Sequence, residues 1–103
     1  MGTSKRLAEH YDMRAEEKQL ARYAETSGPL QTLSERELAL DKLPLTIYPR
    51  PQRVKAWVRF GPQHARVDAL MVRSTELAAG IEFVIAETTY RCWVWGNAVE
   101  LAG

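Results

Sequence analysis

From Val54 to Leu101 apolar residues return at every second position, and this period of two, broken at short intervals by turn residues, limits that half of the chain to extended strands with one packed face. Val54, Ala56, Val58 and Phe60 alternate with Lys55, Trp57 and Arg59 until Gly61-Pro62 turns the chain. Ala65, Val67, Ala69 and Met71 alternate with Arg66, Asp68, Leu70 and Val72, up to a polar and small-residue connection from Ser74 to Gly80. Ile81, Phe83 and Ile85 alternate with Glu82, Val84 and Ala86 as a third strand, and Glu87-Thr88-Thr89 connects it to a fourth, Tyr90 to Trp95. Gly96-Asn97 offers a last turn before a short fifth strand, Val99 to Leu101. Neighbouring side chains on a strand point to opposite faces, so Tyr90, Cys92 and Val94 are assigned to the core and Arg91, Trp93 and Trp95 to the other face.

The first half of the chain has a different period. Ser4 to about Thr26 contains no proline or glycine and is rich in Leu, Ala, Glu, Lys, Arg and Gln, which predicts a helix ending at Gly28-Pro29. Its apolar residues form two rotated patches, Leu7 with Tyr11, and Met13 with Leu20, Tyr23 and Ala24, so the helix needs a docking surface to be stable. Ser34 followed by Glu37 is a capping box, and Leu33 with Leu38 is a hydrophobic staple, predicting a second helix from Glu35 to Leu43 ended by Pro44. The same residues open like a helix-turn-helix, but prolines 44, 49 and 51 leave no room for the helices that motif requires. Leu45 to Gln52 reads as a proline-rich connector. The expected organisation is therefore a helical segment over 1–44, the connector over 45–52 and a β unit over 53–103, in a chain of 103 residues that is long enough for one modest core.

Three features of the β unit carry a resemblance: the strand Lys55-Ala56-Trp57-Val58-Arg59-Phe60, the pair Ile81–Ala86 and Tyr90–Trp95, and the tail Trp-Gly-Asn-Ala-Val-Glu-Leu, which reads as a one-turn 3₁₀ link into a final strand. Together these resemble the SH3-like small β-barrel. The resemblance implies an α+β fold, one or two N-terminal helices followed by a five-stranded antiparallel SH3-like barrel, and it leaves the function open because such barrels serve many tasks. The acidic loop and paired aromatics of an SH3 domain that binds proline-rich peptides are not seen in the sequence.

Composition sets further bounds. The net charge of +1 removes the electrostatic argument that a strongly basic chain would give for nucleic acid or membrane. Cys92 is the single cysteine, the N-terminus has no apolar run like that of a signal peptide, and no window approaches a membrane span, so the expectation is a cytoplasmic protein without a membrane partner. His10 and His64 lie in different segments with no metal-ligand spacing around them, and no phosphate loop, triad or carboxylate pair is visible. No metal, no cofactor and no catalysis are expected, and Cys92 reads as a small buried hydrophobe.

The charge layout is more informative. Tyr48 to Val67 holds no acidic residue but has Arg50, Arg53, Lys55, Arg59 and Arg66, whereas Asp68 to Gly103 holds five acids against two arginines. A partner-binding surface is expected on Arg53, Lys55, Trp57, Arg59, Arg91, Trp93 and Trp95, taking a protein partner or a second copy of the chain. The alternative is a small nucleic-acid-binding barrel that uses the basic stretch Arg50 to Arg66 against phosphate, with Trp57 stacking on a base. A third reading has the N-terminal helix covering Trp57, with Lys55 and Arg59 snorkelling around it. Arginine outnumbers lysine 10 to 4 and alanine is abundant, a bias of GC-rich bacteria such as actinobacteria and of their phages, which fits an accessory or structural phage protein.

Overall fold

The computed structural model describes residues 16–102. Helix α1 spans 16–26; the first part of the expected helix, 4–15, lies outside the described residues. Helix α2 is Glu35–Leu38. The strands are β1 (Thr46–Phe60), β2 (Gln63–Ser74), β3 (Ala78–Ile85), β4 (Thr88–Trp95) and β5 (Val99–Leu101), with a 3₁₀ turn η1 at Gly96–Ala98 between the last two. They form one antiparallel sheet in the order β4-β3-β2-β1-β5, so the fold is α+β with a strand-rich core, and the sheet is not closed by strand pairing.

The alternation decides which face is packed. Val54, Ala56, Val58 and Phe60 of β1 and Ala65, Val67 and Ala69 of β2 are buried, joined by Ile81, Phe83 and Ile85 of β3 and Cys92 and Val94 of β4. Phe83 and Tyr90 stack at 5.5 Å, and Phe60 meets both edge-on at 6.5 and 5.7 Å, an arrangement that suits the ring quadrupoles. Helix α1 lays Leu20, Ala21, Tyr23 and Ala24 against this cluster. Among the described residues, α1 is therefore stabilised by packing on the core.

Two expectations are corrected. The second helix ends at Leu38 rather than Leu43, because Ala39 takes a left-handed conformation (φ 49°) and its N–H donates to the Glu35 carbonyl. The N–H groups of Lys42 and Leu43 then donate to the Ala39 carbonyl in a separate turn. The capping box is formed as expected, with the Glu37 N–H donating to Ser34 Oγ and the Ser34 N–H to Glu37 Oε1. The second correction is to the connector at 45–52, most of which belongs to β1, since this strand begins at Thr46 rather than Arg53. Proline favours extended backbone but cannot donate to a ladder. Pro49 and Pro51 fall in a break in the register, where pairing with β2 passes from Ile47↔Arg73 to Gln52↔Met71.

The open side of the sheet is spanned by the segment 28–33. Leu30 bridges Phe60, the Gln31 N–H donates to the Arg59 carbonyl (2.8 Å), and the Leu33 N–H donates to the Trp93 carbonyl (3.0 Å). Trp93 answers with its own N–H to Thr32 Oγ1 (2.9 Å). One short strap thus ties β1 to β4, which the sheet order leaves three places apart. Its start is fixed by contact between two glycines: the Gly61 N–H donates to the Pro29 carbonyl at 2.9 Å, and a Cβ on Gly61 would stand 2.1 Å from the Ser27 carbonyl oxygen. Gly61 also has φ +55°.

Backbone strain and backbone clash coincide at Gly61, so Gly61→Ala is expected to destabilise the fold by at least about 2 kcal/mol in denaturant titration; an unchanged midpoint would show that the strap does not bear on stability. The β3–β4 turn gives the opposite expectation. Ala86 and Glu87 both have positive φ (47° and 70°) in a two-residue turn closed by Ile85↔Thr88, a geometry that favours Asn-Gly. The double change Ala86→Asn, Glu87→Gly is expected to raise stability by about 1 kcal/mol in the same titration.

Candidate functional site

A short final strand produces the site. β5 pairs with β1 only at Val54, Ala56 and Lys55 between them, so from Trp57 onward that edge of β1 faces η1 and the strap rather than a strand. A groove of about 670 Å³ opens there. Its aromatic walls are Trp57 from β1 and Trp93 and Trp95 from β4; Val58, Val94 and Ala98 form the base, and Gln31, Thr32 and Leu33 of the strap form one side. Arg59, His64 and Glu37 bring charge or titratable groups to it.

Trp57 is 49% exposed and Trp95 41% exposed, whereas Trp93 is half-buried. The difference has a local cause. Gly80 lies directly opposite Trp93 on β3, and a Cβ there would come within 3.3 Å of the indole ring, so the missing side chain lets the ring lie against the backbone. Trp57 finds a partner in His64, with ring centroids 5.6 Å apart and planes tilted by 56°. The Glu37 carboxylate is held by Ser34, whose N–H and hydroxyl both donate to Oε1 at 3.0 Å.

Four of the seven expected surface residues, Trp57, Arg59, Trp93 and Trp95, meet in this groove. The other three do not. Arg53 borders a different depression, with Asp68 and Glu82. Lys55 stands between Asp68 of β2 and Glu100 of β5 in register, and Arg91 pairs with Glu82 on β3. Arg66 is likewise bound, to Glu100 at 2.6 Å. Much of the basic stretch therefore lies beside carboxylates supplied by later strands. Of the helix expected to cover Trp57, residues 4–15 lie outside the described residues; among the described ones, Glu16, Gln19, Leu20 and Tyr23 border a depression that reaches Trp57, and the indole is half exposed.

Sequence reasoning missed His64, Glu37 and the strap. His64 was within reach, because a tight turn at Gly61-Pro62 puts it opposite Arg59 and diagonal to Trp57. Glu37 and Gln31 to Leu33 arrive through contacts that no local pattern announces.

Cys92 is buried at 5% exposure, on the core side of β4, and burial pushes its thiol up to about 11 from an ordinary 9.0. Among the described residues no cluster of three His, Cys, Asp or Glu is placed to hold a metal, and no helix is long and apolar enough to cross a membrane. No protein-family profile matches the chain, and no curated protein or solved structure matches it significantly.

The Cys92 shift fixes a sign. Below pH 9 the thiol is neutral in both folded and unfolded chains; between pH 9 and about 11 the unfolded chain loses the proton and the folded one retains it, so folding stability falls across that window. Denaturation midpoints measured through this range are expected to fall more steeply for the wild type than for Cys92→Ala, and parallel curves would show that the buried thiol is not the cause.

Proposed function

We propose that the chain is a non-enzymatic interaction protein that docks a protein partner in the Trp57, Trp93 and Trp95 groove, with Arg59 as its charged contact. One observation carries the reading: three tryptophans from two strands that do not pair line a single groove, and two of them remain 49% and 41% exposed among the described residues. Large aromatics beside an arginine are the residue types that dominate protein–protein contacts, and an apolar groove of this kind is a cost in water unless something fills it. The platform fits an SH3-like barrel, for which the strand order β4-β3-β2-β1-β5 and the 3₁₀ link at Gly96–Ala98 are the supporting features. The arginine and alanine bias supports a source in a GC-rich bacterium or its phage, where a small accessory or structural protein is the matching role.

Nucleic acid is the second reading, favoured by Trp57 standing on an exposed strand face beside Arg59, with the His64 ring against it. The pairing of Arg66 with Glu100 and the position of Lys55 between Asp68 and Glu100 weigh against it, because phosphate binding draws on uncompensated cations.

The test compares purified wild type, Trp57→Ala and Arg59→Ala as baits in host lysate and against a mixed DNA and RNA pool at low salt. A protein retained by wild type and weakened at least about tenfold on Trp57→Ala is the expected result. Retention that ignores both substitutions would sink the groove as the docking site, and salt-dependent capture of nucleic acid would transfer the assignment to the second reading.

A further inference from the structure

At the end of β1 away from the groove the molecule carries an exposed arginine flanked by two prolines. Residues 49–52, Pro-Arg-Pro-Gln, are exposed and extended. Tyr48 to Pro51 sit in the register break between Ile47↔Arg73 and Gln52↔Met71, where β1 lacks partners on β2, and β5 reaches only Val54 on the other side. Two prolines fix the backbone there, and the Tyr48 hydroxyl bonds Ser74 Oγ at 2.8 Å, which anchors the base of the segment. Such a segment is ordered before it binds, so little further conformational freedom is lost on docking.

We propose that the groove's occupant is the Tyr48–Gln52 segment of a second copy of this chain, with Arg50 and its flanking prolines entering among Trp57, Trp93 and Trp95. The inference rests on the reading of the groove as a protein-docking surface and names the partner. Complementarity supports it. The groove offers indole faces, on which a guanidinium and proline rings both stack, together with the Glu37 carboxylate, which Ser34 holds in place. Arg59 and the indole N–H groups supply donors for the incoming segment's carbonyl oxygens.

Geometry requires the contact to be made in trans. Arg50 and Trp57 lie on the same strand, seven residues and roughly 23 Å apart at a strand's rise per residue, so no copy can reach its own groove with its own segment. Each copy carries both halves of the contact. A two-fold arrangement closes a reciprocal dimer, and any other arrangement builds a head-to-tail chain.

The two halves can be disabled separately. In sedimentation runs the wild type is expected to gain mass with concentration, while Arg50→Glu, which loses the inserted cation, and Trp57→Ala, which loses the groove wall, each stay monomeric where the wild type does not. Mixing the two variants is expected to restore a one-to-one complex, because Trp57→Ala still presents an intact Pro-Arg-Pro segment and Arg50→Glu still presents an intact groove. Trp95→Ala serves as the groove variant if circular dichroism shows that Trp57→Ala has not folded. A wild type that stays monomeric at its solubility limit overturns the second copy as occupant and leaves the groove to a foreign protein, which the lysate comparison detects. Association that survives both substitutions overturns the knob-and-groove contact and puts self-association on another face, while the groove as a docking site stands or falls with the lysate comparison.

Discussion

The backbone contact between Gly61 and the loop at Ser27 to Pro29 is the constraint on which the rest of the structure depends. It fixes where the strap begins, and a strap that begins there meets Arg59 and Phe60 on one side and Trp93 on the other. A sheet in the order β4-β3-β2-β1-β5 has two edges and an open side, and unpaired edges invite pairing with other chains. The strap satisfies part of both edges with a few hydrogen bonds and no further strand. It also forms one side of the groove, so the element that closes the core and the element that shapes the candidate site are the same six residues.

β1 performs two tasks along its length. From Val54 to Phe60 its even-numbered residues are core and its odd-numbered residues are surface, held between β2 and the short β5. From Thr46 to Arg53 it is mostly exposed and only partly paired. Lys55 and Arg66 show how the sheet distributes charge: Lys55 stands in register with Asp68 of β2 and Glu100 of β5, and Arg66 is bound to Glu100. The surface is consequently less basic than the linear stretch from Tyr48 to Val67 implies, and Arg59 and the tryptophans, rather than a field of cations, give the groove its character.

The strands were legible because their information is local. Alternation specifies which residues face inward, and a one-residue slip would expose Val58 and Phe60 while burying Lys55 and Arg59, so register and face follow from the same pattern. The 3₁₀ link at Gly96–Ala98 and the capping box at Ser34 were legible for the same reason. Pro49 and Pro51 misled because proline argues against a paired strand and is silent about an unpaired stretch of a longer one. The second helix was overextended because Ala39 is a good helix former, and its left-handed conformation has no local signature. The site was legible only in part: Trp57 and Trp93 were visible as outward residues, but the strap that sets the groove's side depends on contacts between residues about sixty positions apart, and such pairings leave no periodic trace.

Trp93 differs from its two neighbours in the groove in one respect that bears on docking. Its ring already lies on the Gly80 backbone, and its own backbone is bonded on both sides by Thr32 and Leu33, so its orientation is set when the protein folds. Ordering a mobile side chain at an interface costs about 0.5–1.5 kcal/mol, and at Trp93 that cost falls on folding rather than on association. The groove therefore holds one indole fixed by backbone contacts, Trp93, beside two more exposed ones, Trp57 and Trp95. A partner docking there would meet one surface whose shape is already set and two whose ordering would come with contact.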